Sequence, residues 1–511
     1  MTANSIYSQI IESKTGLQLP LLQNGKSIDS RYDPKKESLR LFEEIKADTH
    51  FLIVIGIAGG FLLETILEKR KDIFILALEK SQADIAFLQE LPLIKKISEN
   101  KNLCFCTREN LETKILELYV PAFYGNLQVI ELRGWTLENK DCIADINSAI
   151  NKACGLVSAD FSVQSHFGKL WNHNILSNLS NIHKISFVQN FNLPLDKKAL
   201  IVAAGPSLDD TIKKIQKKVQ DYYIIATDTA LSILSSSGII PQAVISLDGQ
   251  NISSAHFLHN KSSDLSNTLF LFDLCANSSA VKAVLNKNYN ISFFTSGHPL
   301  SEYINRFFNL GLTKLFSGAG TVTISALDFA IKAGFKNIFV AGADFAYSKG
   351  KPYAKGTYLD RLYNQKSNKI NSIQFLYSNL QYRTPLIKEE DTYTTQILQA
   401  YKYSFENFLQ SMALSYKKEN YLYNISNREG SIFKPQNINT KNGKDLVKEL
   451  KKIYAKKENT VTFNSFYELK ESDISLLPLI SWIRNHDNKS MSDFKYFYKE
   501  ALSIFNELGE N

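Results

Sequence analysis

Histidine and cysteine are sparse in this chain, and their placement argues against metal chemistry. Only eight of the 511 residues are histidines, and none lies between His298 and His486. The five cysteines are an odd number without the paired spacing of a zinc site, which predicts reduced thiols rather than a disulfide framework. We therefore expect no bound metal.

Long apolar runs are also absent. No stretch approaches the roughly 20 apolar residues that a membrane-spanning helix needs. The N-terminal sequence M-T-A-N-S-I-Y-S-Q-I lacks a basic region followed by an apolar run, as a secretory signal would have. These observations predict a cytoplasmic location without membrane insertion.

The composition is that of a globular protein, with 44% hydrophobic and 22% charged residues. Its length suggests two or three domains. The formal charge of +8 is modest, and most lysines are spread through helical stretches, which favours solvated faces over a nucleic-acid groove. We therefore expect no nucleic-acid partner.

A short segment near the middle of the chain, A-L-I-V-A-A-G-P-S-L-D-D at 199–210, has the pattern of a phosphate site. A buried strand ends at Gly205 and Pro206, and Ser207 would cap the helix that follows. Gly205 leaves room for a phosphate, and the free N–H groups of the helix start would bind it. An ordinary strand-to-helix turn would have the same pattern.

The segment from 198 onward alternates strands and helices, which predicts a parallel sheet with helices on both faces. Such sheets bind ligands at the carboxyl ends of their strands. Polar residues recur at those ends: Asp228 follows 222–226, Asp248 and Gln250 follow 242–247, and His298 follows 291–294. Ser317, Gly318 and Thr321 precede a helix, and Asp344 follows 337–341.

The N-terminal region predicts a second α/β unit. Its strand 51–57 leads to Gly59 and Gly60, and the next strand, 73–78, ends at Glu79. In nucleotide-binding units an acid at this position accepts hydrogen bonds from a ribose. The sequence G-I-A-G-G departs from G-x-G-x-x-G, so both a nucleotide or S-adenosylmethionine site and an α/β unit that binds nothing remain open.

Taken together, these patterns predict an α/β protein with three domains. They are an N-terminal Rossmann-like α/β domain at 1–190, a central Rossmann-like parallel-sheet domain at 191–436 and a helical tail at 437–511. The long flanks suggest surfaces that hold a protein substrate, with Trp482, Tyr496, Phe497 and Phe505 as apolar anchors in the tail.

The central motifs resemble those of the motility-associated factors (Maf proteins), with a sialyltransferase-like domain of the 6-hydroxymethylpterin diphosphokinase-like group. The resemblance is carried by A-A-G-P-S-L-D, A-T-D-T-A-L, G-I-I-P-Q-A-V-I-S-L-D-G-Q, G-A-G-T-V and A-G-A-D-F-A-Y. It covers most of the chain and is most specific between about 198 and 358. It implies a glycosyltransferase that attaches a nonulosonic acid, of the pseudaminic or legionaminic type, to serine or threonine of flagellin for flagellar assembly and motility.

The same resemblance implies roles for individual residues. The donor would be a CMP-activated sugar, used without a cofactor or metal; no Asp-x-Asp triplet occurs. Tyr347 and Tyr353 would donate hydrogen bonds to the departing phosphate. The implied substrate-binding residues are Gly205, Pro206, Ser207, Asp228, Gln250, Ser317, Gly318, Thr321 and Asp344.

Two departures from the sialyltransferase pattern concern the general base and the nucleotide. The histidine base of those enzymes lies beyond the tyrosine pair, where this chain has none, so Asp248 or His298 would act instead. Their asparagine before G-P-S-L is Ala204 here. Two alternatives stay open: an ATP-dependent diphosphokinase-like enzyme, and a non-enzymatic flagellin-binding factor.

Overall fold

The computed structural model describes residues 5–185, 193–257, 264–318, 320–348, 350–389, 392–412, 414–419, 422–427, 441–457, 466–487 and 494–509. The chain forms two compact units. The first comprises Met1–Lys169 and Tyr454–Asn506, and the second comprises Leu170–Ile453 and Glu507–Asn511. This division differs from the predicted boundaries at 190 and 436, because most of the predicted tail domain belongs to the first unit.

The first unit is built on a parallel sheet with a small hairpin beside it. Its elements, up to the helix α8 that continues into the second unit, are β1 Tyr7–Glu12, β2 Gln18–Leu22, α1 Pro34–Glu43, β3 Thr49–Ile55, α2 Phe61–Lys69, β4 Phe74–Glu79, α3 Gln82–Leu88, α4 Pro92–Ile97, β5 Leu103–Thr107, α5 Leu111–Leu118, α6 Pro121–Tyr124, β6 Asn126–Glu131, α7 Arg133–Glu138 and α8 Lys140–Leu179. The sheet order is β5-β4-β3-β6, with all pairs parallel, and β1 pairs antiparallel with β2. The predicted N-terminal α/β unit is therefore present.

The second unit contains a nine-stranded sheet. Its elements are β7 Lys198–Val202, α9 Leu208–Gln216, β8 Tyr222–Thr227, α10 Asp228–Ser236, β9 Ala243–Ser246, β10 Leu269–Asp273, α11 Ser278–Leu285, β11 Asn290–Thr295, α12 Pro299–Phe307, β12 Thr313–Lys314, α13 Val322–Ala333, β13 Asn337–Ala341, α14 Tyr358–Lys366, α15 Ile373–Gln381, β14 Ile387–Glu389, β15 Thr392–Thr394, α16 Gln396–Ser411, β16 Ser415–Glu419, β17 Leu422–Ser426 and α17 Gly443–Ala455. The strand order is β12-β11-β10-β9-β8-β7-β13-β17-β16.

The order of these strands determines where a ligand would bind. Seven neighbouring strands, from β12 to β13 across the sheet, are parallel, while β17 and β16 extend the sheet antiparallel. The chain runs outward from β7 to β12 and then returns to place β13 on the other side of β7. That reversal is a topological switch point, and open α/β sheets bind ligands beyond the carboxyl ends of the strands there.

The C-terminal elements complete the first unit. They are α18 Glu471–Ile474, α19 Leu477–His486 and α20 Phe494–Glu507. Phe497 and Phe505 are buried, Tyr496 donates to Asp487 over 2.7 Å, and Trp482 stacks on His486 with ring centroids 4.4 Å apart. The predicted apolar anchors are therefore mostly core or engaged within the unit.

The last turns of α8 brace the loops of the large sheet. Asn174 donates its amide to the carbonyl oxygens of Gly249 and Cys275 over 3.0 and 3.1 Å. Asn178 does the same for Leu274 and Ala276 over 3.0 and 2.8 Å. The polar sequence of this helix is thus explained by loop carbonyls that would otherwise lack a donor. Among the described residues, no helix is both long and apolar enough to cross a bilayer.

Candidate active site

A cavity of about 270 Å³ opens at the switch point of the second unit. It lies at the carboxyl ends of β7, β8 and β13, and the segment before α13 and the start of α16 also contribute to its wall. Its lining residues are Ala203, Ala204, Gly205, Thr227, Asp228, Thr229, Gly320, Thr321, Val322, Thr323, Gly342, Ala343, Asp344, Phe345, Ala346, Tyr347, Pro352, Tyr353, Leu398 and Tyr401. Six predicted site residues meet here: Gly205, Asp228, Thr321, Asp344, Tyr347 and Tyr353.

Glycine is required in the turn after β7 because two loops come into close contact there. The Gly205 N–H donates to the Gly342 carbonyl oxygen over 2.8 Å. A Cβ on Gly205 would lie 2.4 Å from that oxygen and 2.7 Å from the Asp344 carboxyl carbon. The sequence predicted that the missing side chain of Gly205 makes room for a phosphate. In the structure it makes room for the loop after β13.

Ser207 also has a partner other than the predicted one. Its backbone is helical and its side chain makes no capping bond. Instead, the Ser207 N–H donates to Asp344 Oδ2 over 2.6 Å, and its hydroxyl donates to Asp344 Oδ1. The carboxylate of Asp344 thus takes the position at the helix start where the sequence predicted a phosphate. Burial raises the pKa of Asp344, although both bonds from Ser207 oppose the shift.

Asp228 is the first residue of α10 and is held in one orientation. Its Oδ1 accepts from the Thr229 N–H over 2.6 Å, and its Oδ2 accepts from the Ser246 hydroxyl over 2.7 Å. The residue is 3% exposed, yet it lines the cavity. A buried carboxylate fixed from two sides is suited to orienting hydroxyl groups of a ligand.

The two predicted tyrosines face the same cavity from the loop after β13. The Tyr347 backbone forms a two-bond bridge with Tyr393, with lengths of 2.6 and 3.1 Å. Burial raises the pKa of both Tyr347 and Tyr353, and the charge of Asp228 raises that of Tyr353 further. Neither hydroxyl has a hydrogen-bond partner among the described residues, so both are neutral donors available to a ligand.

Two further tyrosines near the cavity carried no local signal in the sequence. Tyr401 of α16 lines the cavity, and Tyr358 begins α14 directly after the Tyr353 loop. Burial raises the pKa of each, with Asp248 as the next cause. Asp248 is not part of the cavity lining.

Asp248 and Gln250 form a local turn. Asp248 accepts from the Gln250 N–H over 2.9 Å through Oδ1 and from the Ser253 hydroxyl over 2.7 Å through Oδ2. Gln250 is exposed and does not line the cavity. The pair thus anchors the 3-10 helix Asn251–His256.

The segment before α13 is a turn that brings Thr321 to the cavity. The Ser317 carbonyl accepts from the N–H groups of Gly320 and Thr321 over 3.0 and 3.1 Å. Gly318 has a positive φ of 54°, and a Cβ there would lie 2.5 Å from the Ser404 hydroxyl. Four other predicted binding residues are absent from the cavity lining: Pro206, Ser207, Ser317 and Gly318.

His298 is placed differently from the sequence prediction of a general base. It caps α12, with Nδ1 accepting from the Leu300 N–H over 3.2 Å, and its ring packs edge-on against Trp171 at 5.6 Å. Burial lowers its pKa to about 3, and it does not line the cavity. The imidazole is therefore a neutral capping group, and Asp248 is the remaining predicted base.

Replacing His298 with asparagine tests this structural role. Asparagine is a good N-cap, so we expect His298→Asn to keep the ligand affinity of the cavity within about threefold of the native value. The histidine has a lower pKa in the folded state than the usual 6.5, so its stability contribution is complete above pH 6.5 and is lost as pH falls toward 3. By that linkage the native chain loses about 2 kcal/mol more than the variant between pH 8 and pH 5. Denaturant unfolding at both pH values measures the difference, and identical pH dependence would contradict it.

In the first unit, acidic side chains of the protein accept hydrogen bonds around the glycine turn. The Gly59 N–H donates to Asp29 Oδ2 over 2.7 Å, and burial raises the pKa of Asp29 to about 7. Glu79 is fully buried, where Ile57, Trp135 and Tyr7 donate to it over 3.0, 2.8 and 2.7 Å. Both groups that would hold a nucleotide therefore have internal partners, which favours the alternative in which this unit binds nothing.

No metal centre is evident in the described ranges. Among those residues, no group of three or more histidine, cysteine, aspartate or glutamate side chains is arranged to hold an ion. The five cysteines are free thiols.

Comparison with known proteins gives relatives for part of the chain. A family model described as MptE-like, 6-hydroxymethylpterin diphosphokinase MptE-like, matches residues 173–350. Three uncharacterized proteins of Treponema pallidum (strain Nichols) are 36%, 38% and 31% identical to this chain over 152, 154 and 207 residues. These matches cover 29%, 29% and 39% of this chain and 54%, 70% and 35% of the relatives. The chain thus spans about half the length of the first relative and a larger share of the second.

One solved structure is similar over nearly the whole chain. It is described as the structure of MAf glycosyltransferase from Magnetospirillum magneticum AMB-1, with a TM-score of 0.54 and 12% identity, covering 99% of this chain and 86% of that one. At this identity the likeness concerns the fold. The resemblance noted in the sequence is confirmed at that level. The chain therefore belongs to the family of the Treponema pallidum protein that is 38% identical to it, contains an MptE-like domain and has the fold of the Maf glycosyltransferase.

Proposed function

We propose that this chain is a cytoplasmic glycosyltransferase that moves a nonulosonic acid from a CMP-activated donor to serine or threonine of flagellin, in support of flagellar assembly and motility. One observation carries the proposal: the switch-point cavity brings together Asp228, Thr321, Asp344, Tyr347 and Tyr353, the residues that the family motifs implied. The fold shared with a Maf glycosyltransferase supports the same reaction class.

The chemistry follows from the neutral phenols of the cavity. The bond between the anomeric carbon and the phosphate oxygen breaks, and CMP leaves with the bonding electrons. Hydrogen bonds from Tyr347 and Tyr353 stabilise that developing charge without adding a competing negative charge. The acceptor hydroxyl oxygen forms the new bond to carbon, and its proton passes to a general base, for which the sequence proposes Asp248, a carboxylate outside the cavity lining.

Metal ions have no role in this proposal. A CMP-sugar offers a single phosphate, and phenolic and backbone donors supply the stabilisation that a metal gives to diphosphate donors. We expect full transfer in the presence of EDTA and no stimulation by magnesium or manganese. Loss of activity with EDTA and recovery with magnesium would contradict this prediction.

A second candidate is an ATP-dependent diphosphokinase-like enzyme, favoured by the MptE-like match over residues 173–350. The two reactions require different nucleotides, which separates them in one assay. We expect the full chain to bind CMP at least ten times more tightly than ATP plus magnesium in calorimetric titrations. Asp228→Asn, which keeps the size of the side chain but removes the charge and one of the two acceptor oxygens, is expected to weaken CMP binding. Preference for ATP would favour the diphosphokinase.

The acceptor is tested by the intact mass of flagellin produced with and without this chain. We expect added masses equal to whole nonulosonic acid residues only when the native chain is present. An inactive cavity variant that still associates with flagellin and supports motility would favour the third alternative, a non-enzymatic flagellin-binding factor.

A further inference from the structure

The backbone directly after Tyr353 is bonded to three other parts of the second unit. The Ala354 N–H donates to the Ala204 carbonyl oxygen over 2.9 Å, so the loop that carries Tyr353 lies against the turn after β7. Ala354 is fully buried there. The next two residues of the loop are bonded to side chains from two different helices.

Asp209 of α9 and Ser232 of α10 supply those two bonds. The Lys355 N–H donates to Asp209 Oδ1 over 2.8 Å, across 146 positions of sequence. The Ser232 hydroxyl donates to the Gly356 carbonyl oxygen, also over 2.8 Å. Neither Asp209 nor Ser232 lines the cavity, so both act on the loop from outside the site.

The Tyr353 phenol depends on this backbone for its position. Its ring lines the cavity, and its hydroxyl has no hydrogen-bond partner among the described residues, so no bond at the end of the side chain orients it. A donor stabilises a transition state only when it is held in place, and a displacement of about 1 Å can cost about 10²-fold in rate. The bonds that fix the loop therefore fix the donor as well.

Tyr347 is held in a different way. Its backbone forms the two-bond bridge with Tyr393, and none of the described hydrogen bonds joins Asp209 or Ser232 to either residue of that bridge. The two phenols are thus positioned by separate sets of bonds. A change at Asp209 or Ser232 should displace Tyr353 and leave Tyr347 in place.

We propose that Asp209 and Ser232 are positioning residues of the transfer reaction, which hold the backbone after Tyr353 so that its phenol meets the departing phosphate. The inference rests on the proposed function and extends it to two residues that do not touch the substrate. Asp209 acts through its acceptor oxygen rather than its charge, and Ser232 acts through its donor hydroxyl.

Single-turnover transfer by the full chain, with a CMP-activated nonulosonic acid and flagellin monomer, tests the role of Asp209. Asp209→Ala is expected to lower the rate constant about tenfold and to leave CMP affinity unchanged, because the cavity lining is intact. Asp209→Asn keeps an acceptor oxygen for the Lys355 N–H and is expected to transfer within about twofold of the native rate. Asp445→Ala, which removes an exposed acid from the first turn of α17, is the matched control.

Double variants separate positioning from a general loss of stability. In a Tyr353→Phe chain, Asp209→Ala is expected to cause no further loss of rate, because the group that it positions is absent. In a Tyr347→Phe chain, the same change is expected to lower the rate again. Ser232→Ala is expected to follow the same pattern. Equal losses in the two backgrounds would overturn the proposal, as would native rates in both Asp209→Ala and Ser232→Ala.

Hydrogen exchange of the Lys355 amide measures the bond to Asp209 without catalysis. We expect exchange to be at least tenfold faster in Asp209→Ala than in the native chain, and close to native in Asp209→Asn. Unchanged exchange in Asp209→Ala would overturn the proposal alone. A native chain that transfers no sugar would refute the proposed function, and the positioning role would fail with it even if the exchange results were as expected.

Discussion

Tyr353→Phe lowers the turnover number of glycosyl transfer by about 10²-fold, with little change in donor affinity, if the phenol acts as proposed. This loss is typical for removing one donor that acts mainly on the transition state. Tyr353 lines the cavity, and its hydroxyl has no hydrogen-bond partner among the described residues, so its removal breaks no internal bond. Tyr347→Phe is expected to behave similarly.

Single-turnover kinetics with a CMP-activated donor measure this effect directly. Tyr32→Phe, an exposed tyrosine of the first unit, is the matched control and is expected to transfer at the native rate. If both phenols donate to the same oxygen, the double variant loses less than the product of the single losses. Native turnover in Tyr347→Phe and Tyr353→Phe would exclude both phenols from leaving-group stabilisation.

The pH dependence provides a further check on the phenols. Burial raises their pKa values above the usual 10, so both remain protonated through the neutral and mildly alkaline range. A fall in turnover between pH 7 and pH 9 would therefore belong to another group. The same fall in Tyr353→Phe would support that assignment.

The strands of both sheets were predictable because parallel strands buried on both faces are short, continuous apolar runs. The predicted strand 337–341 coincides with β13, and the prediction 222–226 falls one residue short of β8. Polar residues directly after such runs predicted much of the cavity. Local sequence was sufficient there because a strand, its turn and the next helix are adjacent in the chain.

The antiparallel end of the sheet and the far wall of the cavity were not predictable in this way. Tyr401 lies 48 positions after Tyr353, and in the sequence it belongs to an apolar helical stripe indistinguishable from core. Only the return of the chain through β14 and β15 brings α16 against the loop after β13. A contact that forms because the chain returns from a distant part of the sequence leaves no periodic pattern in that sequence.

Both glycine turns show why a phosphate motif alone is ambiguous. In the first unit Asp29, thirty residues before Gly59, accepts the turn N–H. In the second unit Asp344, 137 residues after Ser207, accepts at the helix start. A buried N–H needs an acceptor whether a ligand or a carboxylate supplies it. The turns differ in their surroundings, since a 270 Å³ cavity lined by phenols adjoins the second, whereas the cavity lined by Asp29 in the first unit is about 100 Å³.

Gly205→Ala is expected to disrupt the proposed site more severely than any single polar change. Gly205 packs against the loop after β13, where its missing Cβ would lie 2.4 Å from a backbone carbonyl oxygen and 2.7 Å from the Asp344 carboxyl carbon. A carbonyl oxygen in a bonded turn cannot rotate away like a long side chain, so the ends of β7 and β13 must separate. That movement breaks the bond from Gly205 to Gly342 and displaces Asp344 from Ser207.

The expected cost of Gly205→Ala is about 3 kcal/mol of unfolding free energy, the upper end of the usual range for overpacking. CMP binding is expected to fall below detection, because the walls of the cavity on either side of the switch point move apart. Gly155→Ala is the matched control: Gly155 lies in α8 with nothing within 4 Å of the added carbon, so it is expected to stabilise the chain by up to about 1 kcal/mol. Denaturant unfolding and CMP titration of both variants give the comparison. A Gly205→Ala protein with native stability and CMP affinity would mean that the two loops do not meet as closely as the structure places them.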